Sequence, residues 1–171
     1  MKQWGQVSAD LLSRYDTVIV AHALQSNPLA IAHQLERFTM QGGQLTLLFD
    51  SLADLGSAGA SIGNVSLSAQ QSAVRDCPLH TSLYVTFADG STLLEPHPQR
   101  LCVLEAPPPG ATVLATAGNA TVAYRTAANQ RGGSVTIIAI GNYGVTPSPL
   151  SVGMPCQVEK PSRLCPRYFA V

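Results

Sequence analysis

The stretch DTVIVAHALQSNPLAIAHQLERFTMQGGQLTLLF, residues 16–49, carries the reading of the fold. It opens on a continuous apolar run, "DTVIVA", bounded by polar residues. A run apolar on both faces suits a strand covered on both sides, as in a parallel sheet. Asn27 then stands where a helix N-cap belongs. Pro28 suits the first helical position, because its missing N–H would have no intrahelical partner there. Ile31, Leu35 and Phe38 recur at helical spacing and predict one core-facing stripe. Gly42 and Gly43 end the helix, since glycine takes the left-handed cap without a Cβ penalty. "QLTLLF" follows as a second buried strand. Strand, helix and strand with short joints make a βαβ unit, whose crossover is expected to be right-handed.

Upstream, "VSADLLSRY" (7–15) reads as a short helix capped by Ser8, with Leu11, Leu12 and Tyr15 on one face. Downstream, residues 51–63 are small and polar and read as a loop or broken helix; "NVSLSAQQSAV" is a weaker helix candidate. The pattern then changes. Leu83, Val85 and Phe87 alternate ahead of Asp89-Gly90, which predicts a β-hairpin. "RLCVLEA" is a further strand, stopped by "PPPG". "TVLATA", "ATVAYRT" and "SVTIIAI" are three more. The last lacks alternation and is expected to be central and buried. Gly132-Gly133 precede this strand and read as a turn. Gly141–Gly144 follow it, but prolines 147 and 149 come next, so no helix N-terminus is there to cradle a phosphate. Residues 147–171 are proline-rich and irregular, a surface wrap or a linker. Residues 1–146 are read as the domain.

Composition sets limits. The chain has 171 residues, enough for one domain with a real core. Charged residues make up only 12%, about half the usual ~25%. Dispersed soluble domains carry more charge, so part of the surface is expected to be covered by protein or sugar. Formal net charge is zero, which argues against nucleic acid and against an anionic membrane surface. No apolar run reaches the ~18 residues of a membrane span. The first residues lack the apolar region of a signal peptide, and the visible start reads as a fragment boundary. Four cysteines (Cys77, Cys102, Cys156, Cys165) and two N-x-S/T sequons at Asn64 and Asn119 point to a secreted or lumenal chain; a cytoplasmic chain with free thiols is the alternative. In a secreted chain the favoured pairs are 77–102 and 156–165, among three possible pairings.

The order of these pieces resembles a known family. "LLSRYDTVIVA" is similar to the opening strand of class I glutamine-amidotransferase-like domains. "AIAHQLERFTMQGGQLTLLF" is similar to their next helix and strand, and residues 112–144 look like their late hairpin and last core strand. The version resembled is the flavodoxin-like accessory, or trimerisation, domain beside the barrel of β-galactosidases and related glycoside hydrolases. The likeness covers residues 8–145 in scattered blocks. It departs at Ala120, where the family has proline, and at the start, where the family's opening strand and helix are not seen. The resemblance implies an α/β, flavodoxin-like three-layer sandwich with a mostly parallel sheet. A β-hairpin-rich insertion would fall at 77–105. It also implies a partner, the catalytic domain or a neighbouring subunit of the same protein, with carbohydrate nearby.

Amidotransferase chemistry is not expected. Its nucleophile elbow needs a cysteine flanked by glycines after a core strand; here "QLTLLF" runs into Asp50-Ser51-Leu52. No histidine follows His97. The sharpest catalytic alternative is a cluster of His22, Asp50 and Ser51 past the ends of two core strands, where open α/β sheets place ligands. That would make the chain a small hydrolytic or ligand-binding domain. The ordinary reading is a backbone-bonded histidine and a turn. His80 and His97 lack the spacing of a metal site, and Glu95 and Glu105 lack the shaped cleft of a glycosidase pair. No cofactor or metal is expected. The favoured reading is a non-catalytic assembly module of a larger, secreted, carbohydrate-active protein.

Overall fold

Short polar side chains start both helices among the described residues. The structure is a computed structural model. It describes residues 8–20, 27–48, 55, 59–66, 79–80, 83–95, 99–101, 104, 106–141 and 168–170. The first helix, α1 (Ala9–Leu12), begins at Ser8, whose Oγ accepts from the Leu11 amide at 3.2 Å. The second, α2 (Pro28–Met40), begins at Asn27, whose Oδ1 accepts from the Ala30 amide at 3.3 Å. Asn27 holds φ +31°, a left-handed conformation that asparagine tolerates better than most residues. Between the helices runs β1 (Thr17–Val20), and after α2 comes β2 (Gln44–Leu48), parallel to β1 with Val20 beside Leu47. Residues 16–49 therefore contain the expected strand–helix–strand unit.

The end of α2 is a Schellman cap. The Gly43 amide donates to Phe38 O at 3.0 Å and the Gly42 amide to Thr39 O at 3.0 Å, while Gly42 takes φ +106°. A Cβ on Gly43 would overlap the Phe38 ring. Glycine is required at both positions, at one by backbone angle and at the other by the ring.

The remaining strands are β3 (Ser61–Ile62), β4 (Val65–Ser66), β5 (Leu79–His80), β6 (Leu83–Phe87), β7 (Thr92–Glu95), β8 (Gln99–Leu101), β9 (Thr112–Ala117), β10 (Ala120–Arg125), β11 (Ser134–Ile138), β12 (Ile140–Gly141) and β13 (Tyr168–Ala170). Eight of them form the main sheet in the order β13-β1-β2-β11-β10-β9-β6-β7. β13, β1, β2 and β11 run parallel. From β11 onward every neighbour, β10, β9, β6 and β7, is antiparallel. A three-stranded sheet, β12-β8-β5, and the β3-β4 hairpin complete the described strands.

This corrects the fold expectation. The chain is not a mostly parallel flavodoxin-like three-layer sandwich: strand outweighs helix, and the sheet is mixed and curled like a half-barrel. The hairpin β6-β7 is not part of an insertion between 77 and 105. It extends the main sheet through β9, with Thr86 beside Thr116. The physical reason is that apolar runs report burial, not strand direction. "SVTIIAI" is indeed central, buried at Ser134, Val135, Thr136 and Ile137, yet one of its two neighbours is antiparallel. Burial in β1 and β2 alternates between buried and half-buried faces rather than being complete on both.

Two cores follow from the mixed sheet. The larger joins Val18, Val20, Leu45, Leu47, Tyr124, Val135 and Ile137 to Leu12 of α1 and to Ile31, Leu35 and Phe38 of α2. Both described helices thus serve one core. The smaller core, Val85, Ala115, Val122 and Ala123, contains strand residues alone. Ala123 pairs with Ile138 while its neighbour Tyr124 pairs with Ile137. Successive side chains in a strand point to opposite faces, so the two cores lie on opposite sides of the sheet. Two register shifts between Thr121 and Tyr124 leave one extra residue in each strand, Val122 in β10 and Leu114 in β9, and such bulges sharpen the local bend of a sheet.

The β6-β7 loop holds itself. Gly90 takes φ +83°. Asp89 Oδ1 accepts from the Ser91 amide at 2.9 Å and the Ser91 hydroxyl at 2.6 Å. These bonds favour the ionised carboxylate, so Asp89 titrates below its ordinary value. Its contribution to the turn is present above the ordinary carboxylate range and is lost as pH falls through the lowered value, below about pH 4. NMR titration of the Asp89 carboxyl should show this depressed midpoint. In Ser91→Ala the midpoint should move back up.

Candidate functional site

Three places could carry function: the glycine-rich loop before β11, the ends of the parallel strands, and the outer face of the antiparallel half.

The loop 126–133 is closed by its own side chains. Thr126 exchanges bonds with Val135, giving its amide to Val135 O at 2.9 Å and taking the Val135 amide on Oγ1 at 3.0 Å. Asn129 is the hub. Its Oδ1 accepts from the Arg131 and Gly133 amides, each at 2.9 Å, and its Nδ2 donates to Thr39 O at 2.8 Å. The Asn129 carbonyl takes the Gly132 amide at 2.9 Å. Gln44, at the start of β2, donates from Nε2 to Gly132 O at 2.6 Å and accepts from the Ser134 hydroxyl. The amides of Arg131, Gly132 and Gly133 are therefore engaged inside the protein. The stretch fastens the start of β11 to the C-terminal end of α2; it does not present amides to an anion.

Asn129 and Gln44 were not singled out in the sequence. Asparagine bonding amides two to four residues ahead is a recognisable turn signal, so Asn129 before Gly132-Gly133 could have been found. Nothing local announces Gln44, whose partners lie far along the chain. Asn129→Ala removes three bonds at once and strands the buried Gly133 amide. At about 1 kcal/mol per bond, more for a buried group left unsatisfied, it should lower stability by about 2–3 kcal/mol. Urea denaturation checks this.

The parallel strands β1 and β2 end side by side, with Val20 beside Leu47 and Leu48 beside Ile138. His22 and Asp50-Ser51 follow these ends in sequence but lie outside the described residues. The same is true of Cys77, Cys102, Cys156, Cys165, His97 and Glu105. His80 lies in β5 and Glu95 closes β7, where it pairs with Leu83. Among the described residues, no three His, Cys, Asp or Glu side chains come together as a metal site. No described helix is long and apolar enough to cross a membrane.

Both sequon asparagines are described, and they occupy the same kind of turn. Gly63-Asn64 joins β3 to β4, with Ile62 paired to Val65. Gly118-Asn119 joins β9 to β10, with Ala117 paired to Ala120. In each the glycine has positive φ, +62° and +58°, and the asparagine does not. This is the two-residue hairpin that wants glycine first. Asn64 and Asn119 are both exposed.

Beside the Asn119 turn, the sheet carries a row of threonines. Thr92 pairs with Thr86, Thr86 with Thr116, and Thr116 with Thr121. Four adjacent strands thus present one threonine each, over a span of about 14 Å at the usual strand spacing. Next to this row, on the same face, Tyr84 pairs with Leu94. They are 65% and 46% exposed. The row is uncharged, and it lies on the face opposite the smaller core, since Thr116 and Ala115 are successive residues.

No protein-family model, curated protein or solved structure matches this chain.

Proposed function

We propose that this chain is a non-catalytic structural module of a larger, secreted, carbohydrate-active protein, packing against its catalytic domain or a neighbouring subunit. The observation that carries the reading is how the polar side chains are used. Asn129, Gln44, Ser134 and Thr126 close loops and bind one element to another. The glycine-rich loop before β11, which lies wholly among the described residues, is itself a fastening. A charge content of 12% supports a surface partly covered by other protein. On the outer side of α2, Leu29 and Met40 are 48% and 61% exposed. With His33 and Glu36 they follow helical spacing, so they form one stripe away from Ile31, Leu35 and Phe38.

The protein isolated from its source should therefore be continuous with, or tightly bound to, a carbohydrate-active domain. Leu29→Ser with Met40→Ser should weaken that association without lowering Tm. A monodisperse, unbound chain of 18.0 kDa that hydrolyses esters or glycosides by itself would overturn the reading.

A second reading is favoured by one observation, the adjacency of the β1 and β2 ends. It makes the chain a small hydrolytic or ligand-binding domain using His22, Asp50 and Ser51. Ser51→Ala assayed against a panel of esters tests it; an unchanged rate sinks it.

A further inference from the structure

We propose that Asn119 carries an N-linked glycan whose first sugars lie over Tyr84 and the adjoining threonine row. The inference rests on the secreted reading above and adds a modification site together with the surface that receives it.

The argument starts from register. Thr86 lies beside Thr116 and Phe87 beside Ala115. From Thr86, Tyr84 lies two residues toward the end of the sheet at which β9 runs into the Gly118-Asn119 turn, since the two strands are antiparallel. The hydroxyl residue of the sequon, Thr121, pairs with Thr116 and so ends the threonine row. Tyr84 and the threonines therefore share one face of the antiparallel half, and the sequon turn lies at the Tyr84 end of it. Asn119 is exposed at the hairpin tip, so attachment there displaces no packed side chain.

Chemistry names the occupant. A face of one exposed aromatic ring, one exposed leucine and four hydroxyls, with no charge in the row, matches a neutral pyranose. Such a sugar has an apolar C–H face for the ring and hydroxyls for the threonines. Tyrosine offers a large rigid contact at little conformational cost. Water is a poor covering for Tyr84 and Leu94, because exposed apolar area is unfavourable. A glycan tethered next to them has a high effective concentration and gives up little freedom on settling there. At attachment, the Nδ2–C1 bond forms as the C1–O bond to a lipid-diphosphate-linked oligosaccharide breaks. The amide proton is lost and the lipid diphosphate leaves.

Asn64 supplies the internal control. It has the same turn and the same sequon type, but its hairpin is the separate two-stranded β3-β4. The chain is produced through the secretory route of a eukaryotic host, and each site is read by glycopeptide mass. Asn119 should be occupied. The N-acetyl methyl of its first sugar should shift upfield in the proton spectrum, from the ring current of Tyr84. Trimming all glycans enzymatically should lower Tm by about 2–4 °C. That loss should vanish in Asn119→Gln and in Tyr84→Ser, and persist in Asn64→Gln. An unmodified Asn119 with a modified Asn64 overturns the inference and leaves the secreted reading standing. Neither site modified overturns the inference and removes the support the sequons give to secretion. A modified Asn119 whose methyl is unshifted, and whose Tm effect survives Tyr84→Ser, overturns the covering of Tyr84. Asn119→Gln is confined to an exposed turn, so its readout does not depend on rescuing a misfolded protein.

Discussion

Gly133→Ala is expected to cost about 3 kcal/mol or more, a large share of the 5–15 kcal/mol that holds a typical domain together. A Cβ built on Gly133 would overlap the carbonyl oxygen of Thr39, and it would stand 3.0 Å from Nδ2 of Asn129. The first obstacle is backbone at the end of a capped helix, not the tip of a flexible side chain. It cannot rotate away. Either α2 or the loop must shift, and either shift breaks the Asn129–Thr39 bond of 2.8 Å. It also disturbs the Gly42 cap, where a Cβ would meet Arg131 O at 2.7 Å. The effect should therefore exceed that of Asn129→Ala, which removes bonds but inserts no atom. The two should be strongly non-additive, since they act on one contact. Urea denaturation of both single variants and the double variant reads this directly. A Gly133→Ala variant within 0.5 kcal/mol of wild type would mean the loop is free to move off α2.

Leu47→Ala should cost about 2–5 kcal/mol, the range for emptying a packed leucine site. Leu47 is completely buried and lies between Val20 and Ile137 in the parallel register. Its face is the one covered by α2, so the cavity would open beneath the helix. Few neighbours can collapse into it, because both flanking strands are locked in the middle of the sheet. The urea midpoint should fall with an unchanged slope. The neighbouring Leu48 points to the other, half-buried face. Leu48→Ala should cost clearly less, and an equal cost at both positions would contradict the alternation of burial along β2.

How much could be read in advance depends on how local the cause is. The caps at Ser8 and Asn27, the stripe Ile31–Leu35–Phe38 and the glycine stop at 42–43 are all present in the structure. Each is set by neighbours within one or two helical turns. The Asp89-Gly90 and Gly118-Asn119 turns follow from the same locality. The glycine-rich stretch is legible in sequence as a turn, but its fastening role is not. Asn129 reaches Thr39, and Gln44 reaches Gly132, across about half the chain. No spacing rule links residues so far apart.

The same limit explains the fold. Residue pattern set the two described helices, the longer strands and the burial of "SVTIIAI", because those follow from side-chain size, branching and periodicity along the chain. It missed the hairpin β3-β4, whose second strand falls in the weak helix candidate "NVSLSAQQSAV", and β13, which joins the main sheet from a stretch that reads as irregular. Tertiary structure alone decided direction and order. A hairpin read as an insertion could as well pair with the main sheet, and "TVLATA" and "ATVAYRT" could carry the sheet on antiparallel. An apolar strand gains the same burial beside a parallel or an antiparallel neighbour. The choice comes from connection lengths, bulges such as that at Thr121–Tyr124, and competition among all the edges at once. The threonine row beside Tyr84 has the same origin: four residues unremarkable in sequence become one surface only through register.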